Sequence, residues 1–522
     1  MPERQQTLFD YSGIDTDRGI EHDGTHVIHP YLAAGRLEYR KFQFDLAKRA
    51  LERNLLVVIP TGLGKTVIAL IASAEMLRIH RKRIVFLAPT RPLAMQHSRM
   101  FSEFLFMGPQ CLFTGSTPPE KRIELWKSSR VVFATPQVIG NDIENGRYTL
   151  DGTSFCIFDE AHRAVGNYTY VDLAKKCREA GVRVLALTAS PGAKMEKVEE
   201  ILDALGIESV EIRDREDTDV KPYVMEVTEA IERVELTHKM REMLSPVQQL
   251  LEEKVRSLQR MGFLRYRKAM QVSRKDLLSV RAALMGRKKG GYIFGAMHNS
   301  LVAMHSYHCA ELLETQGVEP LRAYLHRLMN QKKPSKADRS FLNDKRIGKL
   351  IEAVDSYTGI SHPKLEKLLS LVRVQLETKK DSTVIVFTQY RDTIDTIIAT
   401  LRGAGITCEK FIGQSDREEG KGMSQKEQAM TIGAFSARKF NVLVASSIGE
   451  EGIDVPDVDL VIFYEPIPSE IRTIQRMGRT GRRSIGKVIT LVAAATRDEA
   501  FHAVSHRRVA KMRRLVRRIR ES

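Results

Sequence analysis

The chain has 522 residues, 43% of them hydrophobic and 28% charged. That composition excludes wholesale disorder and fibrous repeats, and at roughly 100 to 200 residues per domain the length implies several domains. Lys and Arg number 82 against 65 Asp and Glu, for a formal net charge of +17, and no apolar stretch nears the roughly 20 residues that cross a bilayer.

In chain order, residues 1–35 are polar with little periodicity and read as a flexible lead-in. The opening Met-Pro-Glu-Arg-Gln-Gln lacks a secretory pattern, so a cytoplasmic location is expected. Short, dense apolar runs follow at residues 55–59, 84–88, 131–134, 155–158 and 184–187, with room for a crossover helix between each. Runs apolar on both faces belong in a parallel sheet covered by helices, which predicts an α/β domain over 36–225. From 226 to 349 the strand runs stop. Helical spacing replaces them, as in Leu251, Val255, Leu258 or Leu277, Val280, Leu284, and predicts a separate all-helical insert. A second series at 383–387, 442–445, 460–463 and 488–491 predicts another α/β domain over 350–500, and residues 501–522 read as a basic helix with Val509, Met512, Val516 and Ile519 on one stripe. Cys111, Cys156, Cys177, Cys309 and Cys408 stand singly, and read as reduced and structural.

The positive excess is concentrated. Residues 254–289 carry twelve basic side chains against Asp276, and residues 506–522 carry eight against Glu521, which leaves the rest of the chain near neutral. Two patches on a neutral body suit a polyanion, nucleic acid first, although composition alone also admits an anionic membrane surface for the tail helix.

The chemistry-bearing motifs sit at strand ends. The first run leads into Pro-Thr-Gly-Leu-Gly-Lys-Thr (60–66) and then a helix. Thr61, Gly62 and Gly64 let backbone amides close on phosphate oxygens, Lys65 reaches the terminal phosphates, and the Thr66 hydroxyl meets Mg²⁺. Ile59 stands where the general pattern has glycine. The fourth run ends in Asp159-Glu160-Ala161-His162, one carboxylate for the magnesium shell and one to orient the attacking water. In the second α/β domain, Arg476, Arg479 and Arg482 recur every third residue after Gln475, so one helical face can present a cationic clamp to the γ-phosphate. Two lobes closing over one nucleotide make a motor, provided something is gripped across both.

Together these residues resemble a superfamily 2 helicase over about residues 36–500. Arg40-Lys41-Phe42-Gln43 resembles the adenine-reading element, with Arg40 and Gln43 at the base. Ala88 to Leu93 (Thr90 and Arg91 within it), Thr114-Gly115 and Thr135-Pro136-Gln137 resemble the strand-gripping motifs, and Thr188-Ala189-Ser190 the coupling motif through Thr188 and Ser190. Residues 384–390 (VIVFTQY, with Gln389), 445–456 (with Gly452 and Asp454 at the nucleotide) and 475–483 resemble the later motifs. The resemblance implies two tandem RecA-like domains flanking a thumb-like insert, ATP and Mg²⁺ as cofactors, and catalytic roles for Lys65, Asp159, Glu160, His162, Gln475, Arg479 and Arg482.

Phe411-Ile412-Gly413-Gln414, the stretch Lys421 to Gln428 and the insert narrow the resemblance to the archaeal Hef helicases and their Fanconi anaemia complementation group M relatives. This implies a 3′ to 5′ motor on forks, junctions and single-stranded DNA in replication-fork repair, with Arg265, Arg267, Lys268, Arg274 and Lys275 of the insert on DNA. Many members add a nuclease with a Glu-Arg-Lys core; this sequence has none, so no nuclease activity and a separate nuclease partner are expected. Gln5, Leu8 and Tyr11 resemble a sliding-clamp peptide. The competing readings are an RNA-dependent ATPase that senses duplex RNA through a similar insert, and an inert scaffold. The scaffold needs missing catalytic residues, whereas Lys65, Glu160 and Arg482 are present.

Overall fold

The computed structural model describes residues 19–192, 194–224, 227–265, 271–287, 290–413, 422–446, 458–466 and 486–521. A two-stranded antiparallel pair opens it, β1 (Glu21–His22) and β2 (Val27–Ile28). The first domain's sheet contains β3 (Leu55–Val58), β4 (Arg83–Leu87), β5 (Gln110–Phe113), β6 (Val131–Ala134), β7 (Thr153–Asp159), β8 (Arg183–Thr188) and β9 (Ser209–Ile212). They lie in the order β5-β6-β4-β7-β8-β3-β9, parallel throughout. The sheet is buried on both faces: Leu55, Val57, Phe86 and Phe155 point into one core, and Leu56, Val85, Cys156 and Phe158 into the other. That double burial is why the strands read as unbroken apolar runs.

The second sheet holds β10 (Val227–Val234), β11 (Val384–Thr388), β12 (Cys408–Phe411), β13 (Val442–Ser446), β14 (Leu460–Phe463) and β15 (Gly486–Ala493), in the order β10-β15-β14-β11-β13-β12. Here the sequence expectation is corrected. Residues 226–237 are not the start of the helical insert: β10 runs parallel to β15 from Val227↔Gly486 to Val234↔Ala493 and forms the edge of the second sheet. Its sequence, VTEAIERV, mixes Glu and Arg among the apolar residues because an edge strand needs no second apolar face, so the dense-run criterion passes over it. β5, β9 and β12 were missed for the same reason: none is buried at every position.

The insert itself is helical among the described residues, from His238–Arg260, capped by the Thr237 hydroxyl, to Lys345–Asp355. The long Gly291–Thr315 helix packs along the first of these, and capping boxes at Ser273/Asp276 and Ser335/Asp338 start two shorter helices. A buried polar knot joins the insert to the second domain. Lys364 and Asp498, both fully buried, form an ion pair, Lys364 also donates to the Thr315 carbonyl at 3.1 Å, and Arg497 meets Glu314 at 2.5 Å. The tail is one helix, Arg497–Glu521, longer than expected.

The lead-in is a second correction. From residue 19 onward it packs on the first domain: Ile20, Val27, Tyr31 and Leu32 are buried in its core, and His29 Nε2 lies 2.9 Å from Glu75 Oε2. Polar composition hid four apolar anchors. All five cysteines are free and buried, and among the described residues no helix is long and apolar enough to cross a membrane.

Candidate nucleotide and nucleic-acid site

Fully buried β3 delivers the phosphate loop to the carboxyl edge of the sheet. Gly62 and Gly64 adopt φ of 88° and 82°, left-handed geometry in which a side chain is strained. A Cβ on Gly64 would also stand 2.3 Å from Gln43 Nε2, which donates to the Leu63 carbonyl at 2.8 Å. Gln43 therefore braces the loop, while Arg40 lies beside it, its guanidinium 5.1 Å from the Tyr223 ring and paired with Glu38. The Lys65–His80 helix has no side-chain cap at its start, so its first amides and positive dipole end are left for an anion. Ile59, where the general pattern has glycine, is fully buried and donates its amide to the Thr188 carbonyl at 3.1 Å. It is the last rung of a strand, and needs no glycine.

The acidic pair stands opposite. Asp159 ends β7 and Glu160 follows at φ 50°, a left-handed conformation costing a non-glycine residue roughly 1–2 kcal/mol and typical of functional strain. Lys65 Nζ is 3.6 Å from Glu160 Oε1. Burial alone would raise the Glu160 carboxyl; Lys65, with His162 and Arg163 adding to it, overrides burial and holds it down at about 2. Lys65 Nζ and Asp159 Oδ1 are buried without a hydrogen-bond partner. Buried polar groups are almost always satisfied. Two such groups at a phosphate cradle fit a polyphosphate with its magnesium, which Thr66 and Asp159 would hold.

His97 was not found from the sequence. Its Nδ1 lies 3.1 Å from Thr66 Oγ1 and its Nε2 2.9 Å from Asp159 Oδ2, with the ring stacked on Phe86. It thus bridges the two residues expected at the metal. The available signal was positional: Ala94, His97 and Phe101 are the buried face of the Arg91–Phe104 helix, and a polar ring on a core stripe needs a partner.

From the acids a chain runs to the coupling motif. His162 Nδ1 lies 3.3 Å from Glu160 Oε2 and 3.2 Å from Thr188 Oγ1, and Thr188 Oγ1 donates to the Ser190 carbonyl at 2.9 Å. Strand order separates the residues expected at two jobs along one sheet edge. β7, β8 and β3 end in the nucleotide residues, and their neighbours β4, β6 and β5 end in Thr90-Arg91, Thr135 and Gly115. Thr90 Oγ1 and Arg91 Nε are likewise buried without a partner.

In the second domain Gln389 follows β11, its amide donating to buried Glu465 at 2.5 Å. Next to it, the Tyr390 hydroxyl donates to Glu311 of the insert at 3.1 Å; burial pushes that phenol up, with nearby Arg274 acting against it. One expected DNA contact of the insert, Arg274, therefore lies within electrostatic reach of Tyr390, the neighbour of Gln389. Arg265, Arg274 and Lys275 are exposed. Not all of the basic segment is free: Lys254 pairs with Glu253 at 2.7 Å and Arg256 with Glu252 at 2.6 Å. Gln5, Leu8, Tyr11, Arg267, Lys268, Gly452, Asp454, Gln475, Arg479 and Arg482 lie outside the described residues.

Three family models match the chain: DEAD/DEAH box helicase over residues 40–198, a helical bundle of putative ATP-dependent RNA helicases over 238–356, and the helicase conserved C-terminal domain over 363–484. The crystal structure of the Pyrococcus furiosus Hef helicase domain is similar, with 39% identity and a TM-score of 0.69 over 89% of this chain and 98% of that one. Among curated relatives, a putative ATP-dependent RNA helicase of Methanocaldococcus jannaschii is 38% identical over 94% of this chain and 62% of its own length. The DEAD-box ATP-dependent RNA helicase FANCM of Arabidopsis thaliana is 34% identical over 96% of this chain and 38% of its own. The ATP-dependent DNA helicase mph1 of Neurospora crassa is 34% identical over 91% and 43%. The chain thus spans less than two thirds of the length of these curated relatives.

Proposed function

Because the chain belongs to the Hef family of superfamily 2 helicases, relatives of FANCM and mph1, we propose that it is an ATP-dependent helicase or translocase that remodels forked and branched DNA, moving 3′ to 5′ on one strand. The observation that carries the reading is the buried line from Lys65 through Glu160 and His162 to Thr188 and Ser190. It joins the hydrolytic centre on β3 and β7 to Thr188 and Ser190 after β8, the residues that resemble the coupling motif.

The residues divide the work. Gln43 and Arg40 stand at the base end, and the loop amides with Lys65 hold the β- and γ-phosphates. Thr66 and Asp159, bridged by His97, would hold Mg²⁺, which when bound would neutralise charge developing on the phosphate oxygens. Glu160, ionised far below neutral pH, orients the attacking water. Arg479 and Arg482 supply the cations of the opposite lobe. A change at Glu160 reaches Thr188 through one imidazole, which gives hydrolysis a route to the coupling motif, and a grip on phosphates needs no reading of bases.

The test compares ATPase stimulation and strand displacement on forked DNA, four-way junctions, single strands and duplex RNA of equal length. Strongest stimulation by forked or branched DNA is expected. Stronger stimulation by duplex RNA overturns the DNA reading.

A further inference from the structure

The Arg497–Glu521 helix continues from β15 of the second sheet, yet its far end is packed elsewhere. Its first turn is tied down by Arg497 to Glu314 and Asp498 to Lys364, while Ile519 lies against the apolar core of the first domain and the helix touches β9. At 1.5 Å per residue, these 25 residues span about 37 Å. The helix is a strap from the second domain to the first.

Where the strap meets the first domain the two bound an open cavity of about 850 Å³. On one wall are Lys194, Glu196 and Lys197, at the start of the Met195–Leu205 helix. On the other are Lys511, Arg514 and Arg518 of the strap. Five cations face one carboxylate, and none of the five has a partner among the described residues. Like charges gathered around a concavity repel, and are held there at a cost unless an anion screens them. The strap's three cations, Lys511, Arg514 and Arg518, recur at three and four residues, so one helical face presents them together over about 10 Å. Guanidinium forks also suit phosphate oxygens.

We propose that this seam is a second nucleic-acid site, a cavity that grips the phosphodiester backbone between Lys194 and Lys197 of the first domain and Lys511, Arg514 and Arg518 of the strap. The inference rests on nucleic acid being the chain's ligand. Lys194 lies four residues beyond Ser190 of the coupling motif. Phosphate held at the seam pulls strap and first domain together at the point where the hydrolytic centre reports, and the cavity exists only while both walls are in place.

The experiment uses the full chain, a fluorescent forked DNA and anisotropy titrations from 50 to 300 mM salt. Lys194→Gln/Lys197→Gln removes one wall, Lys511→Gln/Arg514→Gln/Arg518→Gln the other, and a third variant combines them; all are exposed changes, and melting temperatures check the fold. Each wall variant is expected to flatten the salt dependence by about one to two phosphate contacts and to weaken binding roughly 5- to 50-fold at 0.1 M salt. The combined variant is expected to lose less than the product of the two, because a phosphate held from both walls is already lost with either. Glu196→Gln, which removes the opposing carboxylate, is expected to tighten binding about 2-fold. An unchanged salt slope in both wall variants, or losses that multiply as for two independent surfaces, overturns the proposal. If the parent chain binds the fork with a steep salt slope that the variants retain, the seam alone is refuted. A parent that does not bind forked DNA refutes the functional reading and the seam with it.

Discussion

Replacing Lys65 with alanine is the usual way to silence a phosphate loop, and here the structure gives it a second consequence. Lys65 is the largest influence lowering Glu160, whose carboxyl is held at about 2 against an ordinary 4.5 although it is nearly enclosed. A shift of that size corresponds to about 3 kcal/mol. Because the folded-state value is depressed, this stabilisation is fully present above pH 4.5 and is lost as pH falls through about 2. Lys65→Ala leaves a buried carboxylate without its main partner, and water entering the space left by the side chain offsets part of the loss, so roughly 2 kcal/mol remains. For a domain of this size, that is a drop of about 4–8 °C in the melting of the first domain at pH 7.5 without nucleotide. Adding Glu160→Gln removes the stranded charge, and the double variant is expected to recover at least half of the drop. ATP hydrolysis is abolished in both, while affinity for forked DNA stays within about 3-fold, since the phosphate contacts of insert and tail are untouched. A Lys65→Ala melting temperature within 1 °C of the parent, or no recovery in the double variant, refutes the electrostatic account of the pair.

Three further outcomes follow from other buried groups. His97→Ala removes the bridge between Thr66 and Asp159 and is expected to raise the Mg²⁺ concentration for half-maximal ATPase by about 10-fold; an unchanged Mg²⁺ titration contradicts the bridging role. Asp498→Ala strands the Lys364 ammonium where neither side chain reaches solvent, so a loss of about 3–5 kcal/mol is expected in urea unfolding of the second domain, and a loss below 1 kcal/mol would show the pair to be dispensable. Glu465 is pushed up to about 7 by burial, with Asp498 adding to it and Lys364 and the hydrogen bonds from Thr388 and Gln389 opposing. A carboxyl that holds its proton more tightly when folded loses stability as pH rises from 4.5 to 7, about 3 kcal/mol in all. Glu465→Gln should therefore gain on the parent in melting temperature between pH 5 and pH 8, and parallel pH profiles would exclude the assignment.

The strands that carry the chemistry were legible because double burial writes itself into sequence as unbroken apolar runs. β6 and β14 coincide with the expected segments, and β3, β4, β7 and β8 differ by one or two residues at their ends. The positions of Lys65, Asp159, Glu160 and Thr188 at strand ends were legible too, since each follows or ends such a run. The failures share a cause. β10 is an edge strand with one apolar face, the lead-in is tied down by four scattered side chains, and His97 looks like any residue on a helical core stripe.

Local order of residues was therefore enough to determine two parallel sheets, the helical insert and the hydrolytic motifs, because burial and phosphate chemistry each impose a short-range pattern. Which distant groups meet was decided only by the tertiary structure. The second sheet recruits β10 from before the insert, His97 closes on Thr66 and Asp159, and the terminal helix returns to the first domain to make a cationic seam with Lys194 and Lys197. Hydrogen bonds and ion pairs between residues tens to hundreds of positions apart leave no periodic trace along a chain, and only folding reveals them.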